Sequence, residues 1–214
     1  MVKLIMKINN KNIDHVDFKH IKSTVGEEAD YDEIFGKAIA YDDKNEKEIV
    51  VGNIEAYFLN VEDITDSVHY LLDSISSDHE SLALYFDDQN KINKKIRKLL
   101  KLSDEEVEMS SSNFLYFHKL RVSKKYRGLD IGKTLMHSTI HDYKRDSSFA
   151  FLKAAPLQFS KREIENDLSV KEDFKNRTKT QSIEKLIKLY ETYGFKEIPE
   201  GKGDMVAYLK DWFI

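Results

Sequence analysis

Between Leu120 and Met136 the chain has the residue types of an anion-binding turn: an apolar strand end, a short basic connection, then two glycines around a helix start. The first N–H groups of a helix have no partner within it, and the aligned peptide dipoles place partial positive charge there. Gly128 and Gly132 let backbone come close to a bound group, while Arg127 and Lys133 add full positive charge. The chemistry this suits is the cradling of a pyrophosphate. The contacts would come from Arg127, Gly128, Leu129, Asp130, Ile131, Gly132 and Lys133.

Spacing separates this turn from other phosphate loops. A nucleotide P-loop places four residues between its glycine and the Gly-Lys-Ser/Thr triplet. Here only Leu129, Asp130 and Ile131 separate Gly128 from Gly132-Lys133-Thr134. The dinucleotide fingerprint also fails, because no third glycine follows at the required distance. The pattern instead resembles the Arg-x-x-Gly-x-Gly/Ala loop of the GNAT N-acetyltransferase superfamily, with Arg127 first and Gly132 last. Leu120-Arg121-Val122 is similar to the end of that family's preceding strand. Leu189-Tyr190-Glu191-Thr192-Tyr193-Gly194-Phe195 resembles its Leu-Tyr-x-x-x-Gly-Phe signature, and Val51-Gly52 matches its hairpin. The similarity is best from residue 114 to residue 209. Two positions depart from the family: Asp130 stands where the middle glycine is usual, and Ile183 where asparagine is frequent.

The resemblance implies an α/β (α+β) fold: a mixed, mostly antiparallel sheet flanked by helices. It implies acetyl-CoA as donor substrate, no metal, and acetyl transfer to an amine by direct attack in a ternary complex. A catalytically silent acyl-CoA-binding or partner-binding module on the same fold is the alternative. Backbone groups of Leu120, Arg121 and Val122 would bond the pantetheine amides, and Tyr190 would be the proton donor to the departing thiolate. Asp130 could cap the helix start, or face the pyrophosphate and repel it. The acceptor, small molecule or protein, is not readable, and dimers being common in the family leaves a homodimer open.

An alkylamine with a lysine-like pKa of about 10.4 is mostly ammonium at neutral pH and must lose a proton before attack. By the two-residue period of a strand, Tyr116, His118, Leu120 and Val122 share one face. His118 is thus a candidate base on the side of the donor contacts, since histidine titrates near 6.5. Glu55, on the preceding strand, competes for that role, and a purely structural histidine is as good a reading of His118. His137 and His141 stand at a spacing that can hold a metal, but nothing accompanies them and they read as surface residues. Tyr190 falls on the apolar stripe of its helix, so a packing role competes with the chemical one.

Composition limits the remaining choices. The 214 residues carry net charge −4, with 41% hydrophobic, 11% aromatic and 34% charged residues. That suits a globular chain with an ionic surface and argues against general nucleic-acid binding. The absence of cysteine excludes disulfides, thiolate zinc sites and a cysteine nucleophile. The apolar start at residues 2–8 is too short for a signal sequence, and no run approaches a membrane span. A cytoplasmic protein without membrane contact is the expectation.

The elements that must position these residues follow from periodicity. One domain over residues 1–214 is expected, with a helical insertion at 65–110 and a charged insertion at 158–180. Residues 2–8 read as an opening strand, 9–36 as short helices or irregular chain, and 38–59 as a hairpin with a charged turn at 42–47. Within the first insertion, Val68, Leu71, Leu72 and Ile75 have helical spacing, and 92–101 forms a basic amphipathic helix with a solvated face. Residues 103–106 and 110–112 read as a solvent loop, and the whole segment as packed over one edge of the core. A central strand at 114–122 leads to the cradle and a helix at 128–144. A strand at 149–152 follows, then a last helix capped by Gly194 and closing strands at 196–198 and 205–209.

Overall fold

A computed structural model of the chain describes residues 13–24, 31–42, 47–62, 64, 67–75, 80–159 and 178–212. The strand expected at 2–8, most of the charged turn at 42–47 and most of the segment 158–180 lie outside the described residues. Three long strands come first: β1 (Ile13–Thr24), β2 (Tyr31–Asp42) and β3 (Lys47–Leu59). This corrects the expectation of helices or irregular chain over residues 9–36. The apolar residues Ile13, Val16, Phe18 and Ile21 change parity, which imitates helical spacing. A register shift in the β1–β2 ladder between Ile13 and Val16 accounts for the first change, since a bulge adds one residue to one strand.

The central strand β4 (Phe114–Val122) has the bounds expected. It is followed by α4 (Ile131–Tyr143) and β5 (Phe149–Lys153). Helix α4 therefore starts three residues later than the sequence suggested, after the glycine turn rather than within it. The chain closes with α5 (Lys179–Glu191), β6 (Lys196–Glu197) and β7 (Asp204–Tyr208). Thr178 and Gln181 form a capping box at the start of α5. At its end the Phe195 N–H reaches the Tyr190 carbonyl at 3.1 Å and the Gly194 N–H the Glu191 carbonyl at 3.0 Å. Gly194 has φ +95°, the left-handed cap that a helix end needs.

These strands form one seven-stranded sheet in the order β1-β2-β3-β4-β5-β7-β6. Every pairing is antiparallel except β4 with β5, and that parallel pair needs the α4 crossover. The mixed, mostly antiparallel sheet flanked by helices is as expected.

Each face of the sheet carries its own core. On one, α4 and α5 cover Ile54, Leu115, Phe117, Leu152 and Met205. On the other, the helical segment between β3 and β4 covers Phe114, Tyr116, Phe149, Phe151 and Val206. That segment comprises α1 (Val68–Ile75), a 3-10 helix (Glu80–Tyr85), α2 (Lys94–Leu100) and α3 (Asp104–Glu108). It is the second layer of the fold, and not the edge cover expected. Fully burying Phe114 and Phe151 contributes about 1.5–3 kcal/mol apiece, with their rings edge to face at 5.3 Å. Residues 103–106, read as solvent loop, instead start α3. The Ser103 side chain accepts from the Glu106 N–H at 3.2 Å, and Glu106 Oε2 accepts from the Ser103 N–H at 2.8 Å, a capping box.

His137 is not the surface residue expected. Its ring packs 4.7 Å from that of Trp212, and burial, then the charge of Lys133, hold its pKa below the usual value. The unfolded chain, with histidine near 6.5, binds more protons than the folded one, so stability falls as pH drops below about 6.5. The thermal midpoint of His137→Gln should fall less between pH 7 and pH 5 than that of the wild type. Equal slopes in the two melting series would remove His137 from this role.

Candidate functional site

The fold opens where β4 and β5 part. Their ladder runs from Phe114↔Phe149 to Phe117↔Leu152 and stops there, while β4 continues against β3 as far as Val122↔Gly52. A cavity of about 1090 Å³ fills the fork. Residues 117–123 of β4 and its end form one wall, Leu152 and Lys153 of β5 another, and Leu186, Tyr190 and Tyr193 of the α5 region a third. Leu120, Arg121 and Val122 all line it.

The cradle is at the far end of β4. The Arg127 Nε donates to the Val122 carbonyl at 3.0 Å, which ties the arginine to the strand end. Gly128 bends the chain at φ +76°, and nothing lies within 4 Å of where its Cβ would be. Arg127, Gly128, Asp130, Ile131 and Gly132 line the cavity. Leu129 and Lys133 do not: Leu129 packs against the core, and the charge of Lys133 acts on His137 one turn along α4.

Asp130 precedes α4 in a left-handed conformation, φ 55°, and its side chain makes no capping hydrogen bond. The expectation that it could cap the helix is therefore corrected. Its carboxylate is instead close enough to raise the pKa of the Tyr193 hydroxyl, adding to the larger effect of burial. The start of α4 is left without a side-chain cap, so its N–H groups and positive dipole end are directed at whatever enters.

The candidate acid and bases are less uniformly placed. Tyr190 is half-buried on the cavity wall, edge to face with Tyr193 at 6.0 Å. Burial pushes its pKa up, with a smaller contribution from Tyr193, so its hydroxyl keeps its proton at neutral pH. His118 lines the cavity, with its ring 5.9 Å from Tyr57 and 6.3 Å from Tyr116. Glu55 does not line it. Its Oε2 accepts from Lys119 Nζ at 2.9 Å, within an ion pair on the sheet.

The shared face expected for Tyr116, His118, Leu120 and Val122 is not found. Glu55 pairs with Lys119 and Ala56 with Phe117, which makes His118 an extra residue on β4. That bulge inverts the alternation. Tyr116 packs in the core under the helical segment, whereas Leu120 and Val122 pack on the α4 side.

Sequence reasoning missed Lys153, Lys185 and Tyr193 as cavity residues. A signal existed for Lys153, as the charged end of an otherwise buried strand. With these, the cavity wall carries, among the described residues, Lys119, Arg121, Lys124, Arg127, Lys153 and Lys185 against Asp130 as the one acid. In a chain of net charge −4, that is a local concentration of positive charge suited to an anionic ligand.

No family model matches the chain, and no curated protein matches it in sequence. Among solved structures, it is similar to a mosquito arylalkylamine N-acetyltransferase-like protein (like 5b), at 16% identity and TM-score 0.28. The overlap covers 64% of this chain and 57% of that one. At that TM-score it adds nothing to the topology described above. No helix among the described residues is long and apolar enough to cross a membrane, and no group of three or more acidic, histidine or cysteine side chains among them could hold a metal.

Proposed function

We propose that this protein is an acyl-CoA-dependent N-acyltransferase of the GNAT type, moving an acetyl group from acetyl-CoA to an amine. One observation carries the reading. The edge of β4 leaves β5 at Phe117 and runs along a basic cavity to the uncapped start of α4. A long, thin donor with a diphosphate at one end matches that shape. In this reading Arg127, Gly128 and residues 130–132 hold the diphosphate, and the β4 edge from Leu120 to Val122 holds the pantetheine arm. The whole chain is one such domain, with residues 65–110 and 158–180 as additions to it.

The reaction is balanced as follows. An ammonium acceptor gives one proton to a base, for which His118 is the better placed candidate because it lines the cavity, whereas Glu55 does not and is committed to Lys119. The amine lone pair then forms a C–N bond to the thioester carbonyl carbon, and the C–S bond breaks. A second nitrogen proton ends on the coenzyme A sulfur. A thiol near pKa 8.5 is a stronger acid than tyrosine at about 10, and burial weakens Tyr190 as an acid further. Tyr190 therefore donates a hydrogen bond to the developing thiolate and keeps its own proton.

Calorimetric titration with acetyl-CoA, with ATP–magnesium as control, tests the reading. A micromolar Kd, about −8 kcal/mol, is expected for acetyl-CoA alone. Failure to bind it, or preference for ATP–magnesium, would sink the assignment. Asp130 favours a second reading, a silent acyl-CoA-binding or partner-binding module, because its carboxylate lies on the wall where the diphosphate would sit. Binding without turnover on any amine of a broad panel would support that instead.

A further inference from the structure

The fork of β4 and β5 contains a polar arrangement that the transfer chemistry leaves unused. Strand β5 ends on Lys153, one residue beyond the last β4–β5 pair, and Lys153 lines the cavity. Asp204 stands directly across the β5–β7 ladder. Its Oδ1 is 3.5 Å from Lys153 Nζ, with the lysine side chain 41% exposed and the aspartate 4%. The other oxygen, Oδ2, accepts from the Tyr85 hydroxyl at 2.6 Å, while Oδ1 is buried and has no hydrogen-bond donor. A buried carboxylate with one oxygen unsatisfied is costly to keep.

This arrangement is built from distant segments. Tyr85 comes from the helical layer, Lys153 from the fork and Asp204 from the strand after the β6–β7 turn. Gly201 in that turn leaves room for the phenol, since a Cβ there would be 2.8 Å from the Tyr85 hydroxyl. The outcome is an ammonium with a buried carboxylate behind it, in ion-pair contact. Lysine has three N–H donors, so those not directed at Asp204 remain for the cavity.

Lys153 is far from the cradle. In the parallel ladder Phe117 is opposite Leu152, so Lys153 is level with His118, four positions along β4 from Val122, about 13 Å at the rise of a strand. Its charge therefore serves the reacting end of the cavity rather than the diphosphate. A positive charge there repels a simple alkylammonium acceptor, but attracts one that also carries an acid group.

We infer that the acceptor is an amine bearing a carboxylate or phosphate, that Lys153 binds this anionic group, and that Asp204 positions Lys153. The inference rests on the acyltransferase reading above. It makes Lys153 a specificity-determining contact and Asp204 a positioning residue behind it.

Matched acceptors test it: glycine, β-alanine and phenylalanine against glycinamide, β-alaninamide and phenylalaninamide, and phosphoethanolamine against ethanolamine. Acetyl-CoA affinity is measured in parallel by calorimetry. The acid member of at least one pair should exceed its neutral partner in kcat/KM by about tenfold or more, the scale of one charge-assisted hydrogen bond. Which pair responds distinguishes carboxylate from phosphate. Lys153→Met should erase that preference through KM with acetyl-CoA affinity kept, and Lys153→Arg should restore part of it. Asp204→Asn, which keeps shape and can still meet the Tyr85 hydroxyl, should weaken the preference by raising KM for the acid member.

Equal rates for the two members of every pair, a preference that survives in Lys153→Met, or no turnover of any member by protein that binds acetyl-CoA would each overturn the inference. The last outcome would leave donor binding standing. Loss of acetyl-CoA binding in the wild type would instead overturn the reading beneath it, and this inference with it.

Discussion

Gly132→Trp should abolish acetyl-CoA binding, lowering affinity by about 100-fold or more, near 2.8 kcal/mol at 1.4 kcal/mol per decade. Gly132 is in the first turn of α4, and a Cβ added there would be 3.4 Å from Leu120 Cδ2, 3.5 Å from Val122 Cγ2 and 3.7 Å from the Tyr193 hydroxyl. Those are close but ordinary contacts, so a methyl group fits. An indole does not fit between the β4 edge and Tyr193 except by filling the cavity mouth beside the cradle. Gly132→Ala is the control. It should keep affinity within several-fold and gain up to about 1 kcal/mol of helix stability. Calorimetry measures affinity, and circular dichroism with thermal melting verifies that both variants fold. Wild-type affinity in a folded Gly132→Trp protein would show that the diphosphate does not lie along this turn.

Tyr190→Phe should lower kcat by about 100-fold, the lower end of the range for removing one hydrogen-bond donor aimed at developing charge. Only the hydroxyl is lost, so acetyl-CoA affinity should change little. The ring keeps its edge contacts with Tyr193 and Phe195, and the fold should persist. Burial holds the Tyr190 proton in place. Its ionisation should therefore cause no fall in wild-type rate up to about pH 10, the ordinary tyrosine value. Steady-state kinetics on the best acceptor of the panel reads both quantities. An unaltered kcat would return Tyr190 to packing alone, as the apolar stripe of its helix permits.

Short-range features were legible before any coordinates. Strand Phe114–Val122, the glycine turn after it and the cap at Gly194 are each specified within about ten residues, by backbone geometry and N–H donors that only certain side chains allow. The capping box at Ser103 and Glu106 was equally local. Its Ser-x-x-Glu spacing was present in a segment read as loop, because the serines and acids around it looked like solvent-exposed chain. The mixed sheet was implied by the resemblance of the loop and helix-end motifs to a known family, and not by the apolar runs.

Long-range pairing governed the remaining features. Whether Tyr116 shares a face with Leu120 depends on one extra residue, His118, opposite Glu55 and Ala56. No periodicity within β4 records that, because a bulge is a property of two strands. Asp130 could have capped α4 or faced the cavity, and the left-handed bend before the helix turned it away from the capping position. The helical segment covers a full face of the sheet because the apolar side chains of β4, β5 and β7 on that face require a second layer. Tyr85 and Asp204, 119 positions apart, meet only when that layer closes on the strands. The local code thus specifies which groups can bind an anion, while the packing of two layers on one sheet sets which of them face the same cavity.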